Sequence, residues 1–143
     1  MFQRILVAVD PSPARYSALR LAGEMAQLSG AEVRVLHVVA SAASLATVVP
    51  LEDDADARAV LDEAVAILRD RGVKAEGVLA RGLTTQIATT ISESAQAFEA
   101  DLIVLSPHHR GFVEAFFSPR VSDAVAHTSR TALLLAPEEA PTT

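Results

Sequence analysis

Asp101-Leu102-Ile103-Val104-Leu105-Ser106-Pro107-His108-His109-Arg110-Gly111-Phe112, continuing Val113-Glu114-Ala115-Phe116-Phe117-Ser118-Pro119-Arg120-Val121-Ser122-Asp123, is the stretch on which the fold reading turns. Four apolar residues, Leu102 to Leu105, sit between Asp101 and Ser106, which reads as a short buried strand with polar ends. A loop rich in Pro, His, Arg and Gly follows. Ser118-Pro119 then marks a helix start, with Ser as the cap and Pro at the first helical position. Val121, Ala124 and Val125 supply its apolar side. In parallel α/β proteins a ligand commonly sits at such a place, at the carboxyl end of a strand. The helix N-terminus beside it offers free N–H groups and a positive dipole end to an anion.

Working outward, the rest of the chain alternates in the same manner. Residues 5–9 (Ile-Leu-Val-Ala-Val) form a continuous apolar run that stops at Asp10-Pro11-Ser12-Pro13, a sharp turn signal. A helical pattern follows, with Ala18, Leu21, Ala22, Met25 and Leu28 on one face and Arg15, Arg20, Glu24 and Gln27 on the other. Ser29-Gly30 stops it. Residues 33–39 read as a second strand. Residues 40–54 show no clean period and read as a long loop. A second helix is predicted over 56–71, with Val60, Leu61, Ala64, Ile67 and Leu68 as its stripe and acids at its start. Residues 73–80 alternate loosely and read as an edge strand. A helix over 84–98 turns Ile87, Ala88, Ile91, Ala95 and Phe98 inward. After the opening stretch, a last strand runs from Thr131 to Ala136.

This order, β-α-β-α-β-α-β-α-β, predicts a doubly wound α/β fold: a parallel sheet of five strands, right-handed crossovers and helices on both faces. At 143 residues, with no internal repeat and no dividing linker, the chain is expected to be a single domain over 1–143. Half of the residues are hydrophobic but only 4% are aromatic, so the core is built from Ala, Val, Leu and Ile. The net charge of −6, from 18 acidic and 12 basic residues, argues against nucleic acid as a partner. There is no cysteine, which excludes disulfides, thiolate metal sites and thiol nucleophiles. No targeting segment or membrane span is read in the sequence, and a cytoplasmic protein is expected.

Four separate segments, correctly spaced, carry a family resemblance. Ile5-Leu6-Val7-Ala8-Val9-Asp10-x-Ser12, Val35-Leu36-His37-Val38-Val39, Ala100-Asp101-Leu102-Ile103-Val104-Leu105 and Val121-Ser122-Asp123-Ala124-Val125-Ala126-His127 resemble the universal stress protein family, the UspA-like single-domain proteins. Residues 131–137 resemble the family's closing strand. The resemblance implies a sheet ordered 3-2-1-4-5 and a homodimer paired through the Thr131–Ala136 strand. That strand is apolar on both sides yet lies at an edge, which a second subunit would cover.

The resemblance also implies a nucleotide site. Asp10 would lie near the adenosine part and the Val38 backbone near adenine. Nucleotide-binding members carry Gly-x2-Gly-x9-Gly-(Ser/Thr) after the fourth strand. Here the aligned positions are Ser106, His109, Pro119 and Arg120, followed by Val121-Ser122. The spacing is kept and every signature position is changed. Glycines let the backbone approach phosphate and adopt positive φ. Ser106 and His109 add bulk, and Pro119 removes an N–H at the helix start. Arg120 works the other way, because a guanidinium can hold phosphate, and Arg110 can assist it. The expectation is a degenerate nucleotide site and no required cofactor, with ATP or another adenine nucleotide as the alternative ligand.

Other candidates carry bland explanations. Asp10 before Pro-Ser-Pro is equally a turn former. His108 and His109 are adjacent and do not converge on a metal; His37 reads as a hydrogen-bonded strand residue and His127 as a helix C-terminal cation. Ser12 and Ser122 lack a recognisable base. Phe112, Phe116 and Phe117 hold three of the five Phe, as a local plug or a contact surface. No His-x-Gly-His and no Ser-Gly-Gly-x-Asp is present, so no enzyme is expected. The reading is a non-enzymatic stress-response protein acting through protein partners, with a nucleotide-binding switch as the alternative.

Overall fold

Alternating apolar residues of the strands reach both faces of one sheet, and each face finds its own helices. The structure is a computed structural model that describes residues 2–44, 47–50, 53–106, 124–126 and 130–137; of 42–44 and 47–50 only the backbone path is described. The elements are β1 (Arg4–Val9), α1 (Arg15–Ser29), β2 (Glu32–Ser44), β3 (Thr47–Pro50), α2 (Asp54–Asp70), β4 (Ala75–Leu83), a 3-10 turn (Thr84–Gln86), α3 (Ile87–Phe98), β5 (Leu102–Leu105) and β6 (Ala132–Leu135). Residues 124–126 are helical.

Five strands pair in parallel: β4 with β2, β2 with β1, β1 with β5, and β5 with β6. With these strands numbered in chain order, that is the expected 3-2-1-4-5 arrangement. Among the described strands β4 pairs only with β2, so its half-exposed side chains do mark an edge. Residues 40–54 are not a continuous loop: β2 runs on to Ser44 and β3 returns antiparallel to it, Ser41 facing Pro50 and Ser44 facing Thr47. Ala, Ser, Thr and Val in that stretch lack a two-residue alternation, so the sequence carries no strand signal there. β4 is also displaced from the expected 73–80 towards Leu83.

Ile5, Val7 and Val9 of β1 pack with Leu19, Leu61, Val65 and Leu68 of α1 and α2. Leu6 and Ala8 face the other way, against Ile87 and Ile91 of α3 and against Val125. Burying a Leu or Ile side chain of this kind contributes about 1.5–3 kcal/mol. The face of α1 is rotated from the expected one. Ala18, Leu19, Ala22, Gly23 and Ala26 turn inward, Leu21 and Met25 sit at the rim, and Leu28 is exposed. Small residues bring this helix close to the sheet, and the longer side chains are left at the margin. Gly30 closes α1 in the left-handed conformation at φ 74, a cap that costs glycine no steric strain. Gly77 has a packing reason: a Cβ there would lie 2.9 Å from Leu61 Cγ and 3.0 Å from Val65 Cγ2. No described helix is long and apolar enough to cross a membrane.

Candidate functional site

The sheet is stepped at its carboxyl edge. β1 pairs with β2 only as far as Val9 and His37, and with β5 as far as Ala8 and Leu105. β2 continues beside β4 to the Ser41–Leu83 pair. The ends of β1 and β5 therefore form a recess flanked by the longer β2. It lies where β1 has one neighbour reached through α1 and another reached much later, the switch point of a doubly wound sheet.

Asp10 emerges there. The residue is 4% exposed, and its Oδ1 accepts from the Ser12 backbone N–H at 2.9 Å and from the Ser12 hydroxyl at 2.6 Å. Thus the turn-forming role is present. A buried carboxylate is a costly way to close a turn, however. Burial pushes the Asp10 carboxyl above its ordinary range, against the opposing pull of the Ser12 hydrogen bonds and of the nearby His37 and Arg15.

His37 is fully buried on β2, and its ring Nδ1–H donates to the Val9 carbonyl at 3.0 Å. Its structural role in the sequence reading holds. Val38 is a core residue, 2% exposed, packed with the α3-side cluster. Its side chain belongs to the fold whatever its backbone does. Ser106 follows β5 directly. It is 4% exposed, and its hydroxyl has no hydrogen-bond partner. His109, Pro119, Arg120, Val121 and Ser122 lie outside the described residues, as do His108, Arg110, Phe112, Phe116, Phe117 and His127.

Arg15 was not singled out in the sequence, where it falls on the polar side of its helix. Its side chain is only 15% exposed and folds back onto the turn, donating to Pro11 O at 2.6 Å and Ser12 O at 3.0 Å. Its other terminal nitrogen meets Tyr16 Oη at 2.8 Å, and that hydroxyl donates to Glu63 at 2.7 Å. Arg15 Nε is buried and has no hydrogen-bond partner. Beyond it, the buried Ser17 hydroxyl holds the Pro137 carbonyl at 2.6 Å. A basic residue three positions past the turn serine was the available signal, but nothing in sequence shows that the chain folds back there.

Buried polar atoms are almost always paired in folded proteins. Among the described residues the two buried side-chain atoms without a partner, Ser106 Oγ and Arg15 Nε, flank the end of β1. The end of β1 thus carries a buried acid, Asp10, with the unpartnered Ser106 hydroxyl at the end of the neighbouring β5, while Arg15 holds the turn beside them. The recess holds no group of three His, Cys, Asp or Glu side chains placed for a metal, among the described residues.

The match to the universal stress protein family model extends over residues 1–137. This chain belongs to the universal stress protein family. A universal-stress-family structure from Burkholderia pseudomallei is 26% identical and superposes with a TM-score of 0.73, covering 95% of this chain and 96% of that one. A universal stress protein from Archaeoglobus fulgidus in complex with dAMP is 25% identical, with a TM-score of 0.69 over 94% of this chain and 98% of its own. A universal stress protein in complex with cAMP is 22% identical, with a TM-score of 0.71 over 95% and 97%. No curated protein matches the chain.

Proposed function

We propose that this universal stress protein is a non-enzymatic stress-response protein of the cytoplasm whose nucleotide recess is degenerate and which acts through protein partners. The observation that carries this reading is the replacement at the phosphate-loop positions. Ser106, His109, Pro119 and Arg120 stand where nucleotide-binding members carry Gly, Gly, Gly and Ser or Thr. Each lost charge-assisted contact weakens binding by about 1.5–3 kcal/mol. Two such losses leave ATP at high micromolar to millimolar affinity, as an order of magnitude.

The second reading is an adenine-nucleotide-binding switch. It draws support from the relatives bound to dAMP and cAMP and from the unpartnered Ser106 hydroxyl, which a ligand would satisfy. Titration calorimetry of nucleotide-free protein with ATP, AMP and cAMP decides between the two. Weak or no heat for all three supports degeneracy. Micromolar binding of any of them supports the switch and overturns the first reading.

In this proposal the protein is a homodimer through the Thr131–Ala136 segment. β6 pairs only with β5 among the described strands, and Leu135 is 52% exposed at that edge. Pairing about a two-fold axis would cover it. Light scattering at micromolar concentration should give twice the chain mass, and Leu134→Glu should give a monomer. A wild-type monomer would refute the dimer.

A further inference from the structure

Two clefts outside the recess differ in how their charges are used. One, of about 420 Å³, lies at the amino ends of β2 and β4. There Glu32 is held by Arg4 and Lys74, and the Glu76 carboxylate by Arg34. Arg69 donates to the Ala75 carbonyl. Every charged group lining that cleft is committed to a partner within the protein, so nothing is left for a ligand.

The other cleft, of about 700 Å³, runs between α3 and the segment leading into β6. Its sides are polar: Thr89, Ser92, Glu93 and Gln96 from α3 and Glu99 just after it, with Arg130 and Thr131 opposite; of the two acids, Glu99 is already held by Arg4 at 2.8 Å. Ala95 and Ala100 contribute only small side chains, so the space is not filled from within. Glu93 and Arg130 both face it and, among the described residues, make no ion pair or hydrogen bond with each other or with a neighbour. Arg130 is nonetheless fixed at its root, because the next residue, Thr131, bonds the Ala100 carbonyl through its hydroxyl at 3.4 Å. The cleft opens at the amino ends of β5 and β6, beside Ala100 and Thr131. It is at the opposite end of the sheet from Asp10 and Ser106.

We propose that this cleft binds a small zwitterion of the free α-amino-acid type, its carboxylate on Arg130 and its ammonium on Glu93. The class follows from the lining. A simple anion would bring its charge against Glu93, and a simple cation would face Arg130. An apolar molecule would desolvate Thr89 and Gln96 without satisfying them. A ligand carrying both charges pairs each with its opposite, while the hydroxyls and the amide hold its polar remainder. The volume lies within the range of roughly 300–1,000 Å³ typical of small-molecule sites. The charged groups are solvent-exposed, which limits the affinity to the millimolar range as an order of magnitude.

The test is a two-dimensional amide NMR titration of the intact protein with L-threonine, N-acetyl-L-threonine and L-threonine amide. Saturable shifts at Ser92, Glu93 and Thr131 with the free amino acid, and binding at least about tenfold weaker for each capped form, are the expected result. Arg130→Gln and Glu93→Gln, both surface changes, should each abolish the shifts. Asp10→Asn, at the other end of the sheet, should leave them unchanged. Equal binding of the N-acetyl form would make the cleft a carboxylate or peptide C-terminus site and overturn the proposal. So would equal binding of the amide, shifts that survive both cleft substitutions, or no saturable shift up to the solubility limit of L-threonine.

Discussion

The two ends of the sheet handle polar groups in opposite ways. At the amino end, outside the cleft of Glu93 and Arg130, charges are largely solvent-accessible and matched. Arg4 bridges Glu32 and Glu99, Arg34 pairs with Glu76 while stacking over Phe98, and Asp101 accepts from the backbone N–H groups of Gln3 and Arg4. At the carboxyl end, Asp10, Ser12, His37 and Ser106 are buried, and two buried atoms lack partners. Exposed pairs contribute little to stability, whereas a buried and incompletely satisfied cluster costs stability. A fold tends to retain such a cost where the groups serve something besides folding. The contrast makes the carboxyl end the costlier of the two to fold.

The largest expected effect tests whether that end was built for phosphate. Replacing Ser106, His109 and Pro119 by Gly and Arg120 by Ser should raise ATP affinity by about two to four orders of magnitude, read by calorimetry. A folded revertant that still ignores ATP would show that the difference between the two ends has another origin. Next in size is His37→Ala, which opens a cavity and leaves the Val9 carbonyl without its donor. It should cost about 2–4 kcal/mol in urea unfolding. A loss below about 1 kcal/mol would mean that the buried imidazole is not holding β1 to β2 at this end.

Asp101→Ala probes the amino end. Removing two exposed hydrogen bonds to the backbone of the first strand should cost about 1 kcal/mol. Asp10→Asn is expected to raise the melting temperature at neutral pH, because it removes a buried charge and keeps the acceptor for Ser12. The sign follows from burial, which raises the carboxyl's folded pKa. Such a group's stabilising contribution is present below its unfolded pKa and is lost as pH rises through the folded value. The gain should therefore be largest at neutral pH and vanish in acid. A gain that is constant across that window would remove the charge from the explanation. Smallest of all is Glu32→Gln, whose pairing with Arg4 and Lys74 is solvent-exposed. It should leave the melting temperature unchanged within error, and a clear drop would show that the amino-end network matters more than its exposure suggests.

The strands β1, β5 and β6 were readable because each is apolar on both faces, which leaves period and length unambiguous. β3 and the extension of β2 were not, because Ala, Ser and Thr give neither a helical stripe nor an alternation. The helix α1 shows a different limit. Of the expected stripe, Ala18 and Ala22 do face the sheet, but Leu19, Gly23 and Ala26 join them in place of Leu21, Met25 and Leu28, of which Leu28 is exposed. In the recess, Asp10 and Ser106 could be placed at strand ends from sequence alone. The His37–Val9 bond could not, because it depends on register between residues 28 apart. Arg15 was hidden for the same reason: helical periodicity assigns it to solvent, and only the turn before it provides the carbonyls that draw it back.

The central position of β1 has a consequence for how the chain is made. On one side β1 meets β2, which follows soon after it. On the other it waits for β5, whose approach is fixed by Asp101, 97 residues from Arg4 in sequence. While the chain emerges from the ribosome, β1, α1, β2, α2 and β4 can assemble, leaving the far side of β1 unpaired. That half-sheet presents a strand edge that is apolar from Ile5 to Val9 until β5 and then β6 arrive, with Ser17 finally taking hold of Pro137. Contacts this distant close slowly. The nascent protein is therefore most open to misassociation in the interval before its last third is synthesised.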